Sequence, residues 1–147
     1  MGKDRSEKKG KCTSSKSSSA DKTLAISGHI RRNIHFLQRV AACRTKRQHN
    51  RLRQILSASG PEQLLCLVEC CLNLLRGRVP RPKQRLLNRL RSQAPQLRAF
   101  CKARSARTAR EHLQQEGGGL AALIPIAISA ILPVIVDKVI DKISRNQ

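Results

Sequence analysis

Apolar positions recur along this chain in four blocks, and their period is helical. In the first block Ile30, Ile34, Leu37, Val40 and Ala41 stand three or four residues apart, with Arg31, Arg32, Arg39, Arg44, Lys46 and Arg47 between them. Leu52, Ile55 and Leu56 continue the apolar face. This predicts one or two basic amphipathic helices across roughly 27–57. The second block, residues 59–77, has sharper ends. Ser59 and Glu62 have capping-box spacing, Pro61 falls in the first turn, and Gly77 is placed to close the helix in a left-handed conformation. Leu64, Leu65, Leu67, Val68, Leu72, Leu74 and Leu75 cover more than one face of it, as in a helix buried in a bundle or a partner. Leu67, Leu72 and Leu75 are expected in the core.

In the third block, residues 78–116, Pro80 and Pro82 predict an extended turn. Leu86, Leu87 and Leu90 then form an apolar stripe on an Arg-rich helix. Pro95 should start another helix with Leu97 and Phe100 inward, and 103–116 is helical by propensity with little apolar surface. The fourth block follows Gly117, Gly118 and Gly119, which read as a flexible joint. Residues 120–136 form an uncharged run of 17, marginal against the roughly 20 that a membrane-spanning helix needs. Pro125 and Pro133 are expected to break it into short helical pieces. Beyond Pro133, the apolar residues Ile135, Val136, Val139, Ile140 and Ile143 share one face, and Asp137, Lys138, Asp141 and Lys142 share the other. A surface made of Leu120, Leu123, Ile124, Ile128, Ile131, Leu132, Ile135, Val136, Val139, Ile140 and Ile143 must be covered. Three coverings are open: a spanned bilayer, a membrane interface, or the core of a self-assembled oligomer.

No strand alternation is long enough to compete, so the expected fold is all-α. It comprises a disordered Ser- and Lys-rich tail over 1–23, a small basic helical bundle over 24–116, and a hinged apolar C-terminal helix over 117–147. The tail holds too few large apolar side chains to offset the entropy of ordering.

Charge narrows the function. Of the 147 residues, 30 are Lys or Arg and 9 are Asp or Glu, for a net charge of +21. Nearly all of this excess precedes the glycines. So basic a chain repels itself when compact, and a polyanion relieves that repulsion. Arg outnumbers Lys, and its planar fork is the better bidentate phosphate ligand. The strongest signal is the series Arg76, Arg78, Arg81, Lys83, Arg85, Arg89, Arg91, Arg98, Lys102, Arg104, Arg107 and Arg110, which no Asp or Glu interrupts. A solvated helix face normally mixes both signs. With no Trp or Tyr and only Phe36 and Phe100, the chain lacks the stacking platforms of a single-strand reader. Sequence-independent binding to the backbone of double-stranded DNA is the expectation.

Other chemistry is thinly supplied. Cys66, Cys70 and Cys71 lie together on the second-block helix, but His29, His35, His49 and His112 share no ligand spacing with them, so packing is expected and a metal is not. Residues 1–20 lack the apolar stretch of a secretory signal, so a reducing compartment is expected for the six cysteines. No catalytic constellation is visible, and neither an enzyme nor a cofactor is expected.

Four stretches in order, "LLCLVECCLNLLRGRVP", "KQRLLNRLRS", "LRAFCKA" and "EGGGLAALIPIAISAILP", have a family layout. Over about residues 52–135 the chain resembles a small late core protein of adenovirus-related double-stranded DNA viruses of the adintovirus or Maverick type. Its end is similar to the precursor of the adenovirus core peptide mu, in which a basic half precedes Gly-Gly and an apolar half. The resemblance implies a non-enzymatic virion core protein that condenses packaged DNA, located in the virion and the host nucleus, with its apolar segment against membrane or capsid interior. "QEGG", residues 115–118, resembles the maturation-protease consensus, which implies a viral cysteine protease as a partner and a cut between Gly118 and Gly119. Two other readings compete: a membrane-active protein (a viroporin or lytic peptide precursor), and an interaction protein whose leucine-rich helix docks in a partner's groove.

Overall fold

The computed structural model describes residues 26–79, 83–114 and 119–147. The predicted tail, Pro80 to Pro82, and Gly117 and Gly118 of the predicted joint lie outside them. Among the described residues the chain forms eight α-helices and no strand: α1 Gly28–Arg32, α2 Ile34–Ala42, α3 His49–Ser57, α4 Pro61–Leu75, α5 Gln84–Ser92, α6 Ala94–Cys101, α7 Ala106–Gln114 and α8 Gly119–Arg145. A short 3₁₀ turn, Lys46–Gln48, leads into α3. The all-α expectation therefore holds.

Local chemistry places the ends. Ser27 Oγ accepts from the Ile30 backbone N–H at 3.3 Å and so starts α1. The stretch 27–57, expected as one or two helices, holds three: α1 and α2 part at Asn33, whose amide donates to the His29 carbonyl at 2.8 Å, and residues 43–48 separate α2 from α3. The cap of α4 sits one residue later than the capping-box spacing suggests. Gly60 is the N-cap, and its N–H donates to Gln63 Oε1 at 3.0 Å. Ser59 is buried and its hydroxyl donates back to the Ile55 carbonyl at 2.6 Å, while Glu62 pairs with Arg32 of α1 at 2.8 Å. At the other end the glycine expectation holds. Gly77 has φ +66°, and the N–H groups of Arg78 and Gly77 donate to the carbonyls of Asn73 and Leu74, the double closure of a Schellman motif.

The largest departure is α8. Pro125 and Pro133 do not break it, and 27 residues run as one helix. Each proline removes a backbone bond, at about 3 kcal/mol or more in a helix interior. Packing offsets that cost. Leu120, Leu123, Ile124, Ile128, Ile131 and Ile135 recur on one face and all are buried. They lie against α2 above all, then α4, with α1, α5 and α7 at the sides. Ser129 stands one turn before Pro133 and ties the helix to its neighbours: its hydroxyl lies 2.6 Å from the Pro125 carbonyl and 3.4 Å from that of Ala41 in α2. One face of the apolar run is therefore covered by the same chain, which none of the three predicted coverings included. Leu132, Val136 and Val139 are half-buried, and only Ile140 and Ile143 stand largely in solvent.

Around this axis α4 buries Leu64, Cys66, Leu67, Val68, Cys70, Cys71 and Leu74, and packs on α7, α6 and α1. Leu97 and Phe100 point inward from α6, as Pro95 led one to expect, and both are fully buried. Of the three leucines expected in the core, Leu67 is fully buried and Leu72 half-buried, but Leu75 is exposed. Leu75 lies in the last turn of α4, where the chain turns away through Gly77 and no later helix covers it.

Candidate nucleic-acid interface

The acid-free run from Arg76 to Arg110 is carried by α5, α6, α7 and their junctions. On α5, Leu86 and Leu90 lie one turn apart in the core, which leaves Arg85, Arg89 and Arg91 exposed. On α6, burial of Leu97 and Phe100 puts Arg98 outside, and Lys102 and Arg104 stand on the turn before α7. The side chains of these six residues make no hydrogen bond or ion pair among the described residues. Arg76 and Lys83 are also exposed, at the C-cap of α4 and the N-cap of α5. Arg81 lies outside the described residues.

Three members of the series are engaged within the fold. Arg107 Nε lies 3.2 Å from Glu111 Oε1, an exposed pair one turn apart. Arg78 donates to Asn73 Oδ1 at 3.3 Å. Arg110 is the most committed. Its guanidinium donates to the carbonyls of Leu56, Ser57 and Ser59 at 3.3, 2.9 and 2.6 Å, and so caps the C-terminal end of α3 from α7. Arg110 is thus a structural residue. Arg110→Ala is expected to cost about 1.5–3 kcal/mol of stability, the range for hydrogen bonds to a charged group. Chemical denaturation would measure that loss, and the salt dependence of DNA binding should not change.

A second basic run is absent from the series read off the sequence. Arg39, Arg44, Lys46, Arg47, Arg51 and Arg53 are all exposed, and their side chains have no partner among the described residues. The signal was available: residues 22–61 contain no Asp or Glu, as long a silence as the one that marked the other run. The two runs approach each other at the start of α8. A cleft of about 50 Å³ is lined by His49, Leu52, Arg53, Ala121 and Ala122. A second, of about 240 Å³, is lined by Arg89, Ser92, Gln93, Gly119, Ala122, Leu123 and Ile126. Ala122 lines both, so α3 and α5 flank the same end of α8, with Arg53 at the first cleft and Arg89 at the second.

The acids do little to balance this surface. Glu62 lies within 2.8 Å of Arg32 and 3.4 Å of His29, and Glu69 accepts from Ser27 Oγ at 2.9 Å. Glu111 is taken by Arg107. The remaining described acids, Asp137 and Asp141, are at the far end of α8.

Cys66, Cys70, Cys71 and Cys101 form an interior cluster. A hydrogen bond with Cys66, and then burial, hold the Cys70 thiol well above its ordinary pKa, and burial does the same for Cys71 with Cys101 nearby. Cys101, half-buried, is pushed up to about 11 by burial, against a lowering pull from Arg76. Such thiols stay protonated at neutral pH, and the thiolate is the form that attacks or ligates. Among the described residues no group of three or more His, Cys, Asp or Glu is placed to hold a metal.

Comparison of the chain with protein-family models, curated proteins and solved structures finds no match.

Proposed function

We propose that the protein is a non-enzymatic packaging protein that binds double-stranded DNA through its phosphates without reading sequence. The observation that carries this reading is the pair of exposed, acid-free basic runs, which approach each other where α3 and α5 flank one end of α8. Unpaired guanidinium groups on a rigid helical scaffold suit bidentate contact with phosphate oxygens. The scarcity of aromatic side chains weighs against base stacking, and nothing in the chain has the form of a sequence-reading motif.

The resemblance to adenovirus-related core proteins supplies the setting: a late protein of the virion core, acting on packaged DNA and passing through the host nucleus. Gly119, the second glycine of the candidate cut, is the first residue of α8. A viral cysteine protease that cut between Gly118 and Gly119 would therefore leave α8 held in the bundle by packing. The membrane-active alternative draws on α8 as well, the one described helix long and apolar enough to cross a bilayer. It would require α8 to leave the core, which burial of Leu123, Ile124, Ile128 and Ile131 opposes.

Titrating unrelated duplexes with the full chain at several salt concentrations tests the proposal. If about 8 phosphates are neutralised, log K against log salt should fall with a slope near −7, at about −0.9 per contact. A slope shallower than about −2, or strong preference for one duplex, would overturn it.

A further inference from the structure

Between Arg76 and Arg110 only Ser92, Ser105 and Thr108 carry a hydroxyl, and each directly follows an Arg. The fold separates them. Ser92 is the last residue of α5, its hydroxyl donates to the Arg89 carbonyl at 2.8 Å, and Gln93 alone parts it from α6. Thr108 lies in the first turn of α7. Of the three, Ser105 alone stands outside a helix, in the link 102–105 between the end of α6 at Cys101 and the start of α7 at Ala106. It is exposed, and so are Lys102 three residues before it, Arg104 one before and Arg107 two after. Its hydroxyl is held by local bonds: it accepts from the Thr108 N–H at 3.2 Å and lies 2.9 Å from Thr108 Oγ1.

We propose that Ser105 is a phosphorylation site for a serine/threonine kinase that selects basic residues on both sides of its acceptor, and that the phosphate weakens binding of this surface to DNA. Kinases choose substrates by charge pattern, and Lys102, Arg104 and Arg107 supply cations on either side of Ser105. Ser92 has Arg89 and Arg91 before it but no basic residue after it until Arg98. In the transfer, Ser105 Oγ attacks the γ-phosphorus of ATP and the bond to the β,γ-bridging oxygen breaks. ADP leaves, and the hydroxyl proton passes to the base of the kinase. The fold accepts the product. The phosphate adds about 1.5–2 negative charges at neutral pH to the start of α7, where the helix dipole favours an anion. It also enters a run with no acid of its own, next to Lys102 and Arg104, whose side chains have no partner among the described residues. Cations drawn to this phosphate are lost to DNA, and its charge repels the duplex. The acceptor site stands by itself, whereas its effect on DNA rests on the packaging role proposed above.

Incubation of the full chain with Mg²⁺, ATP and a purified kinase of that specificity should add phosphate, which tandem mass spectrometry should place at Ser105. Ser105→Asn should abolish the uptake and keep the parent's helical circular dichroism, since Asn caps a helix as well as Ser. Ser92→Ala should take up phosphate as the parent does. The phosphorylated chain should bind unrelated duplexes about ten- to hundredfold more weakly at about 0.1 M salt, with the slope of log K against log salt shallower by about 2. Ser105→Asn, treated alike, should bind as the untreated parent does. No uptake by the folded chain, or phosphate on Ser92 or Thr108 in place of Ser105, would overturn the site. Phosphate at Ser105 that leaves both affinity and slope unchanged would overturn its effect on DNA. An unmodified chain that binds no DNA would overturn the packaging role instead, and phosphate at Ser105 would still establish the acceptor.

Discussion

Ile128→Asp is expected to unfold the whole bundle. Ile128 is fully buried on the face of α8 that lies along α2 and α4. An aspartate there is either an unpaired buried charge or a protonated acid without a partner, and the former costs several kcal/mol. Net stabilities of small domains are about 5–15 kcal/mol. Burying one Leu or Ile side chain is worth about 1.5–3 kcal/mol, so the six residues from Leu120 to Ile135 on this face together contribute on the order of the whole net stability. Thermal unfolding followed by circular dichroism should show loss of the cooperative transition across all helices, including the sharply capped α4. If the variant keeps the parent's midpoint with only α8 frayed, then α8 is an appendage and the packing described above is not what holds the fold together.

The second large effect is on DNA. Replacing Arg85, Arg89 and Arg91 by Gln removes three exposed, unpartnered cations from one helix while leaving Leu86 and Leu90 in place. Gln is nearly as good a helix former as Arg, so the unfolding midpoint should hold. If all three meet phosphates, the slope of log K against log salt should become shallower by about 2.7, and affinity at about 0.1 M salt should fall on the order of 10² to 10³-fold. Arg110→Ala should show the opposite pattern, with lower stability and the same slope. A triple variant that binds with the parent's slope would move the interface away from α5, leaving α2 to α3 as the basic surface to change next.

Local punctuation in the sequence determined a good part of this protein. Pro61, Gly77 and Pro95 mark helix ends because each changes what the backbone can do at that residue, whatever surrounds it. The leucine pairs on α5 and the Leu97, Phe100 pair on α6 announce their inward faces by spacing alone. The acid-free basic runs announce a charged surface, since no fold can neutralise charges that have no opposite number nearby. Tertiary structure alone decided the rest. A periodicity shows that a face is apolar, not what covers it, and so residues 120–136 could be read as a membrane or assembly segment, whereas in the fold α2 and α4 cover the face of Leu120, Leu123, Ile124, Ile128, Ile131 and Ile135. It likewise decided that Leu75 lies outside while Leu67 lies within, because exposure in the last turn of α4 depends on where later helices pass. Arg110 and Arg89 are alike in sequence, yet one caps α3 across more than fifty residues and the other faces solvent. Such assignments depend on contacts between segments far apart in the chain, and no local pattern of residues encodes them.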